Sequence, residues 1–276
     1  MTSGTTTLTM TGGAVFSGPV AFSGAALSLG GNYRFTGGTA VDLAGPLTLN
    51  ATTALDNSAG NGTLTLRTVD GTASGAQSLT VNAGTGNAFL DGAIGTATPL
   101  NNLTVTGGAI TTTNNITTQG ATTFNGPVTF DGIFTTLGGF TALSPITLAT
   151  STTINAGSNP IRLGAVTAKT GVTGLSLNLA GSGTDTIASL QSPPITLGTS
   201  GMTGGSITVA GKQVFGGNDH DHDHDHDHDH DHDHDHDHDH DHDHDHDHDH
   251  DDDHGKDNHG QDKDDHGRGD DHGKPD

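Results

Sequence analysis

Along the first 218 residues one small pattern recurs: an apolar residue, then Thr, Ser or Ala, then a second apolar residue. It stands at Leu8-Thr9-Met10, Val20-Ala21-Phe22, Leu27-Ser28-Leu29, Leu47-Thr48-Leu49, Leu64-Thr65-Leu66 and Leu79-Thr80-Val81. It continues at Leu103-Thr104-Val105, Val128-Thr129-Phe130, Ile146-Thr147-Leu148, Leu175-Ser176-Leu177, Ile195-Thr196-Leu197 and Ile207-Thr208-Val209. Alternation of period two marks a half-buried strand, with two side chains inward and the small one outward. Five of the eight prolines in this part, Pro19, Pro46, Pro127, Pro145 and Pro194, immediately precede a triplet. Proline cannot donate to a ladder and is tolerated where a strand begins. Turn pairs such as Asn61-Gly62, Asp91-Gly92, Asn125-Gly126 and Asp131-Gly132 fall between triplets.

The first positions of the triplets run from 8 to 207 in eleven steps, a mean of about 18 residues. Short strands, frequent turns and a loose repeat near 20 residues predict an all-β fold, a β-solenoid of stacked coils. One flat coil cannot bury its inward side chains, and a stack can. Roughly eleven coils spaced by about 4.8 Å would make a rod on the order of 50 Å long. Unpaired strands at its ends would invite end-to-end self-association. A β-sandwich of the same short strands is the alternative.

Composition strengthens the strand reading. The body holds 38 of the 43 glycines and 45 threonines, and both residue types disfavour helix while threonine suits a pleated surface. A body of this size can bury a core as one domain. Cysteine is absent, so there is neither a disulfide framework nor a thiolate metal site. No apolar run is long enough for a transmembrane helix. The start, Met1-Thr2-Ser3-Gly4, lacks the basic and apolar regions of a signal peptide.

The segment from Gln77 to Gly132 carries a family resemblance. Its motifs are SLTVNAG at Ser78 to Gly84, LDGAIG at Leu90 to Gly95, NNLTVTGG at Asn101 to Gly108 and TTFNGPVTF at Thr122 to Phe130. Together they resemble the β-strand repeats of filamentous-haemagglutinin-like exoproteins of Gram-negative bacteria, with weaker versions over residues 45–215. The resemblance implies a right-handed parallel β-helix, export to the cell surface, and adhesive or matrix roles. The chain differs from that family in its shortness and in its Asp-His tract.

The body offers little chemistry of its own. Its carboxylates are Asp42, Asp56, Asp70, Asp91, Asp131 and Asp185, and it has no histidine and no glutamate. A convergent pair could serve glycoside hydrolysis, but Asp91 and Asp131 precede glycine and Asp56 precedes asparagine, which reads as turn chemistry. With no Trp and a single tyrosine, Tyr33, the body lacks platforms for sugar rings, and no enzyme is expected. Asn82, Asn102, Asn125 and Asn155 read as turn residues in preference to ladders between coils. The glycine-rich segments lack a phosphate-binding motif, and no basic patch suggests nucleic acid.

Charge divides the chain in two, a body at 1–217 and a tail at 218–276. The formal charge is −23, and the residues from Asp219 onward account for −22 of it, with 26 aspartates against four basic residues. All 20 histidines lie there. Asp-His repeats sixteen times and supplies His220, His222, His224, His226, His228, His230, His232, His234, His236, His238, His240, His242, His244, His246, His248 and His250. Four looser Asx-His-Gly units add His254, His259, His266 and His272.

On an extended strand this alternation puts every imidazole on one face and every carboxylate on the other. Successive histidines are about 6.8 Å apart at the backbone, so neighbours can lean onto one metal ion. Imidazole suits Zn, Ni or Cu in preference to Ca, and carboxylates orient the imidazole N–H groups. The histidines are therefore the expected ligands and divalent metals the expected cofactors. As plain polymer the tail is a solvated acidic linker, but solubility alone does not require histidine at every second position. The flanking carboxylates favour charged imidazole, which predicts compaction of the tail at mildly acidic pH and a similar effect of added metal. Arg268-Gly269-Asp270 spells an integrin-binding tripeptide, within a tract where chance readily produces it.

The sequence thus predicts an extracellular or cell-surface structural protein, adhesin-like and able to form filaments, with a metal-binding histidine-rich tail. Its expected partners are divalent metals and further copies of itself; nucleic acid is not among them. The alternatives are a metal-sequestering surface protein whose body is an anchor, and the shaft of a phage fibre.

Overall fold

The computed structural model describes residues 7–22, 26–191 and 194–216. These residues form strands and no helix, so none contains a helix long and apolar enough to cross a membrane. The strands stack in parallel as a β-solenoid of about nine turns. All ladders are parallel except the last, which joins Ser206–Val209 to Lys212–Phe215. This pattern excludes the sandwich alternative, whose sheets are antiparallel.

Three ladders run along the stack. The first runs from Thr7–Thr11 through the start of Ala26–Phe35, the start of Leu47–Asp56 and Val69–Gly71. It crosses Ile94 by a single bridge on each side and continues through Ile116–Thr118, Ile133–Thr136, Thr152–Asn155, Ser176–Gly181 and Thr196–Met202. The second runs from Ala14–Phe16 through the later halves of the two long strands to Leu79–Asn82, Leu103–Thr106, Thr122–Asn125 and Phe140–Ala142. It ends through Ile161–Ala168, Thr184–Leu190 and Ser206–Val209. The third links Val20–Phe22, Val41–Leu43, Leu64–Leu66, Asn87–Leu90, Ala109–Thr112, Val128–Phe130 and Ile146–Leu148, and continues through the end of Ile161–Ala168 to the end of Thr184–Leu190.

All twelve triplets lie on these strands, with two starting one residue late: Leu175 and Ile195 are buried just before Ser176–Gly181 and Thr196–Met202. The expected count of eleven coils is corrected to about nine, because the triplets are distributed over three ladders and do not mark one coil each. Register gives the true repeat, from 18 residues at Ile110↔Val128 to 26 at Thr53↔Leu79. Nine turns at about 4.8 Å each make a rod of roughly 43 Å.

Inward positions build one continuous core. On the second ladder Tyr33, Leu55, Val81, Val105, Phe124, Ala142 and Leu163 stand in register, and all but Leu163, at 3% exposed, are at 2% or less. At mid-rod the ladders converge on an aromatic cluster. Phe134 arrives from the first, Phe124 and Phe140 from the second and Phe130 from the third, with ring centroids 4.7 to 6.3 Å apart. Rings at these separations and tilts gain attraction beyond the area they bury.

Corners are made by residues with a specific duty. Gly126 has φ 146°, and an added Cβ would collide with the carbonyl oxygen of Gly107 one turn below. The prolines that open strands lose a donor but keep an acceptor: Pro46, Pro127 and Pro145 carbonyls receive the N–H groups of Leu27, Ile110 and Val128 at 2.8 to 3.0 Å. Threonine also turns inward at corners. The Thr118 and Thr122 hydroxyls lie 3.0 Å apart, Thr118 donates to Gly120 O at 2.9 Å, and Thr136 bonds to Gly139 O at 2.9 Å. Satisfied in this way, a hydroxyl is tolerated in an apolar core.

Candidate functional surfaces

The six body carboxylates occupy separate structural positions. Asp91 pairs with Arg67 at 2.7 Å. Asp70 accepts the N–H groups of Ala97 and Thr98 from the following turn at 3.0 and 3.1 Å. Asp56 accepts from Ser58 N, two residues on, and Asp131 accepts from the Thr150 hydroxyl at 2.7 Å. Asp42 points outward from the middle of Val41–Leu43 and has one buried oxygen without a partner. No two of the six are ladder partners, and among the described residues no three acidic, histidine or cysteine side chains gather as a metal site.

Asp185 departs from the turn reading. It occupies an inward position of the second ladder, in register between Ile161 and Ile207, and is 1% exposed. Its carboxylate accepts the Ile161 N–H at 2.8 Å. Burial among isoleucines raises its pKa above the usual 3.8, and the hydrogen bond from Ile161 offsets part of that rise.

The four asparagines divide evenly. Asn82 and Asn155 accept from Gly84 N and Gly157 N, two residues on, as turn residues. Asn102 accepts from Ala121 N of the next turn at 2.8 Å, and Asn125 donates to the Thr106 hydroxyl of the turn before. These two act between coils, the role the sequence favours less. Asn57, absent from that reading, is fully buried at a corner and donates to Thr39 O and Gly62 O. A buried asparagine inside a short Asp-Asn-Ser run carries no sequence mark that separates it from a surface turn.

The outward positions form registered threonine columns. Thr80, Thr104, Thr123 and Thr141 are successive partners on the second ladder. Thr111, Thr129, Thr147 and Thr167 are successive partners on the third. Threonine pairs across strands stabilise a sheet, and their stacking here fixes hydroxyl and methyl groups at the ladder spacing.

At the C-terminal end of the second ladder, Lys212–Phe215 folds back on Ser206–Val209 through Ala210 and Gly211, at φ 48° and 75°. Two central residues with positive φ make a tight hairpin turn whose twist matches its strands. The hairpin covers the edge that a further parallel strand would need.

The twenty histidines from His220 to His272, the aspartates between them and Arg268-Gly269-Asp270 lie outside the described residues. No known protein family, curated protein or solved structure matches this chain.

Proposed function

We propose that this protein is an extracellular, adhesin-like structural protein in which a β-solenoid body carries a tail that binds divalent metal ions. The observation that supports the reading is the division of chemistry along the chain. Five of the six body carboxylates are spent on turns, one ion pair and hydrogen bonds to neighbouring coils, while every histidine stands in the tail and all but His259 adjoin an aspartate. Imidazoles at every second position provide overlapping sites for Zn, Ni or Cu, with the aspartates as counter-charges. The resemblance of residues 77–132 to filamentous-haemagglutinin-like repeats supports placement on the surface of a Gram-negative cell. Equilibrium dialysis of the full chain against Zn²⁺, beside a chain ending at Gly217, tests the reading. Several ions bound per full chain and none per shortened chain are expected; equal binding by both would overturn it.

The C-terminal hairpin favours a second reading. A solenoid whose second ladder is closed by an antiparallel strand is a poor substrate for head-to-tail growth, which suits a metal-sequestering protein with the body as its anchor. Electron microscopy with and without Zn²⁺ separates the two. Filaments that require the tail and metal support a metal-bridged structural role, and discrete rods that still load metal support sequestration.

A further inference from the structure

Among the described residues nothing covers the N-terminal end of the stack. Its first coil, made of Thr7–Thr11, Ala14–Phe16 and Val20–Phe22, has one ladder partner per strand, always in the following coil. The inward side chains of this coil are packed from one side only. Leu8 is 41% exposed and Met10, Ala14, Phe16 and Phe22 are half-buried, whereas Leu27, Leu29, Tyr33 and Phe35 of the next coil are at 4% or less. An apolar cavity lies among Met10, Phe16, Phe22 and Tyr33. Open strand edges are ordinarily blunted by charged side chains, bulges or a covering segment. From Thr7 to Phe22 no residue is charged, and the end that is covered is the opposite one, by the hairpin of Lys212–Phe215.

Backbone direction shows what this end can accept. Gly12 N–H donates to Gly30 O at 2.9 Å, and Phe16 O and Phe22 O accept from Thr36 N–H and Ala44 N–H at 2.8 and 2.9 Å. These residues aim their backbone groups at the next coil, and the direction alternates along a strand. Thr7, Thr9, Thr11, Val15 and Ala21 therefore aim theirs off the end, each with a free donor and a free acceptor.

We propose that a second copy of this chain docks on this end, N-terminal coil against N-terminal coil, as a closed two-fold dimer. A two-fold axis across the rod reverses the sense of the coil, so every strand meets its counterpart antiparallel. With the axis through the first ladder, Thr7–Thr11 pairs with itself about Thr9, and Ala14–Phe16 pairs with Val20–Phe22 of the second copy, three residues against three. Thr9 then faces Thr9 and Val15 faces Ala21, the residues with free backbone groups. Leu8 faces Met10, Ala14 faces Phe22 and Phe16 faces Val20, so inward side chains meet inward ones and the two cores become one. An axis through either other ladder sets a five-residue strand against a three-residue one. Self-complementarity of this kind is what an isologous interface requires. It makes one joint per pair of chains, and both hairpins stay at the far ends.

The proposal is independent of the metal-binding reading, and its test removes metal. Sedimentation equilibrium of the full chain in EDTA should show a dimer that dissociates on dilution. Leu8→Asp places an unpaired charge in the joint and should weaken the dimer by more than about tenfold, whereas Val214→Asp, at a position 53% exposed on the hairpin, should leave it unchanged. Thr9→Cys tests the axis in a chain that has no cysteine. Directly opposed residues of a hydrogen-bonded antiparallel pair lie about 5.5 Å apart at Cα, within disulfide range, so mild oxidation should lock this variant as a covalent dimer and leave Val214→Cys uncoupled. Circular dichroism verifies that each variant keeps its β-structure. A monomeric unaltered chain, which is the result if residues 1–6 cover the end in cis, would overturn the proposal. So would open-ended oligomers, an undiminished dimer in folded Leu8→Asp, equal weakening by Val214→Asp, or a dimer that Thr9→Cys fails to lock.

Discussion

Asp185 is the residue whose surroundings conflict most with its chemistry. Its raised pKa means that the unfolded chain gives up this proton at a lower pH than the folded one does. The folded state is therefore relatively favoured while the carboxyl is protonated. Stability from this site declines as pH rises from the ordinary aspartate value through the raised one, and is level above it. Asp185→Asn keeps an oxygen that can accept the Ile161 N–H and removes the ionisation. Thermal melts should place this variant above the unaltered protein at neutral pH, with the difference shrinking toward acid; a variant less stable at neutral pH would contradict the assignment. Phe134 presents the opposite case, a ring packed against three others from two ladders. Phe134→Ala should lower unfolding free energy by about 3–5 kcal/mol in denaturant titrations, whereas an outward Thr135→Ala should change it by less than about 1 kcal/mol.

At the scale of elements, local rules explain both what was legible and what was hidden. The twelve apolar-small-apolar triplets are strands because their inward positions are unambiguous, and four of the five strand-opening prolines sit directly before strands. The strands that escaped notice carry polar or small residues inward: Thr122 in Thr122–Asn125, Ala142 in Phe140–Ala142, Thr152 in Thr152–Asn155. Corner hydrogen bonds make those hydroxyls acceptable inside, and alternation alone cannot foresee such partners. With those strands uncounted and the triplets spread over three ladders, one triplet per coil gives eleven coils in place of about nine. Asp185 was hidden for the same reason, since an aspartate between threonines reads as a turn until register places it between isoleucines. The terminal hairpin was equally obscure, because Ala210 is an unusual occupant of a positive-φ turn. An L-residue with a Cβ costs about 1–2 kcal/mol in that region. Ala210→Gly should recover roughly 1 kcal/mol in an equilibrium unfolding experiment, and a loss of stability would show that the turn is not formed as described.

For the whole molecule, the near-neutral body and the charged tail answer to different physics. The body's stability resides in stacked ladders and one apolar core, and five of its six carboxylates make structural bonds. The tail has no apolar residue in its sequence, and its proposed role is ligand chemistry. A ligand stabilises a fold only to the extent that it prefers the folded state. Metal held by the tail alone meets the same ligands whether the body is folded or not. The most direct test of this division is calorimetric unfolding of the full chain with and without Zn²⁺, with bound metal counted on the same samples. The account predicts several zinc ions per chain and an unchanged Tm for the body. A zinc-free chain, or a Tm that climbs with zinc concentration, would contradict it.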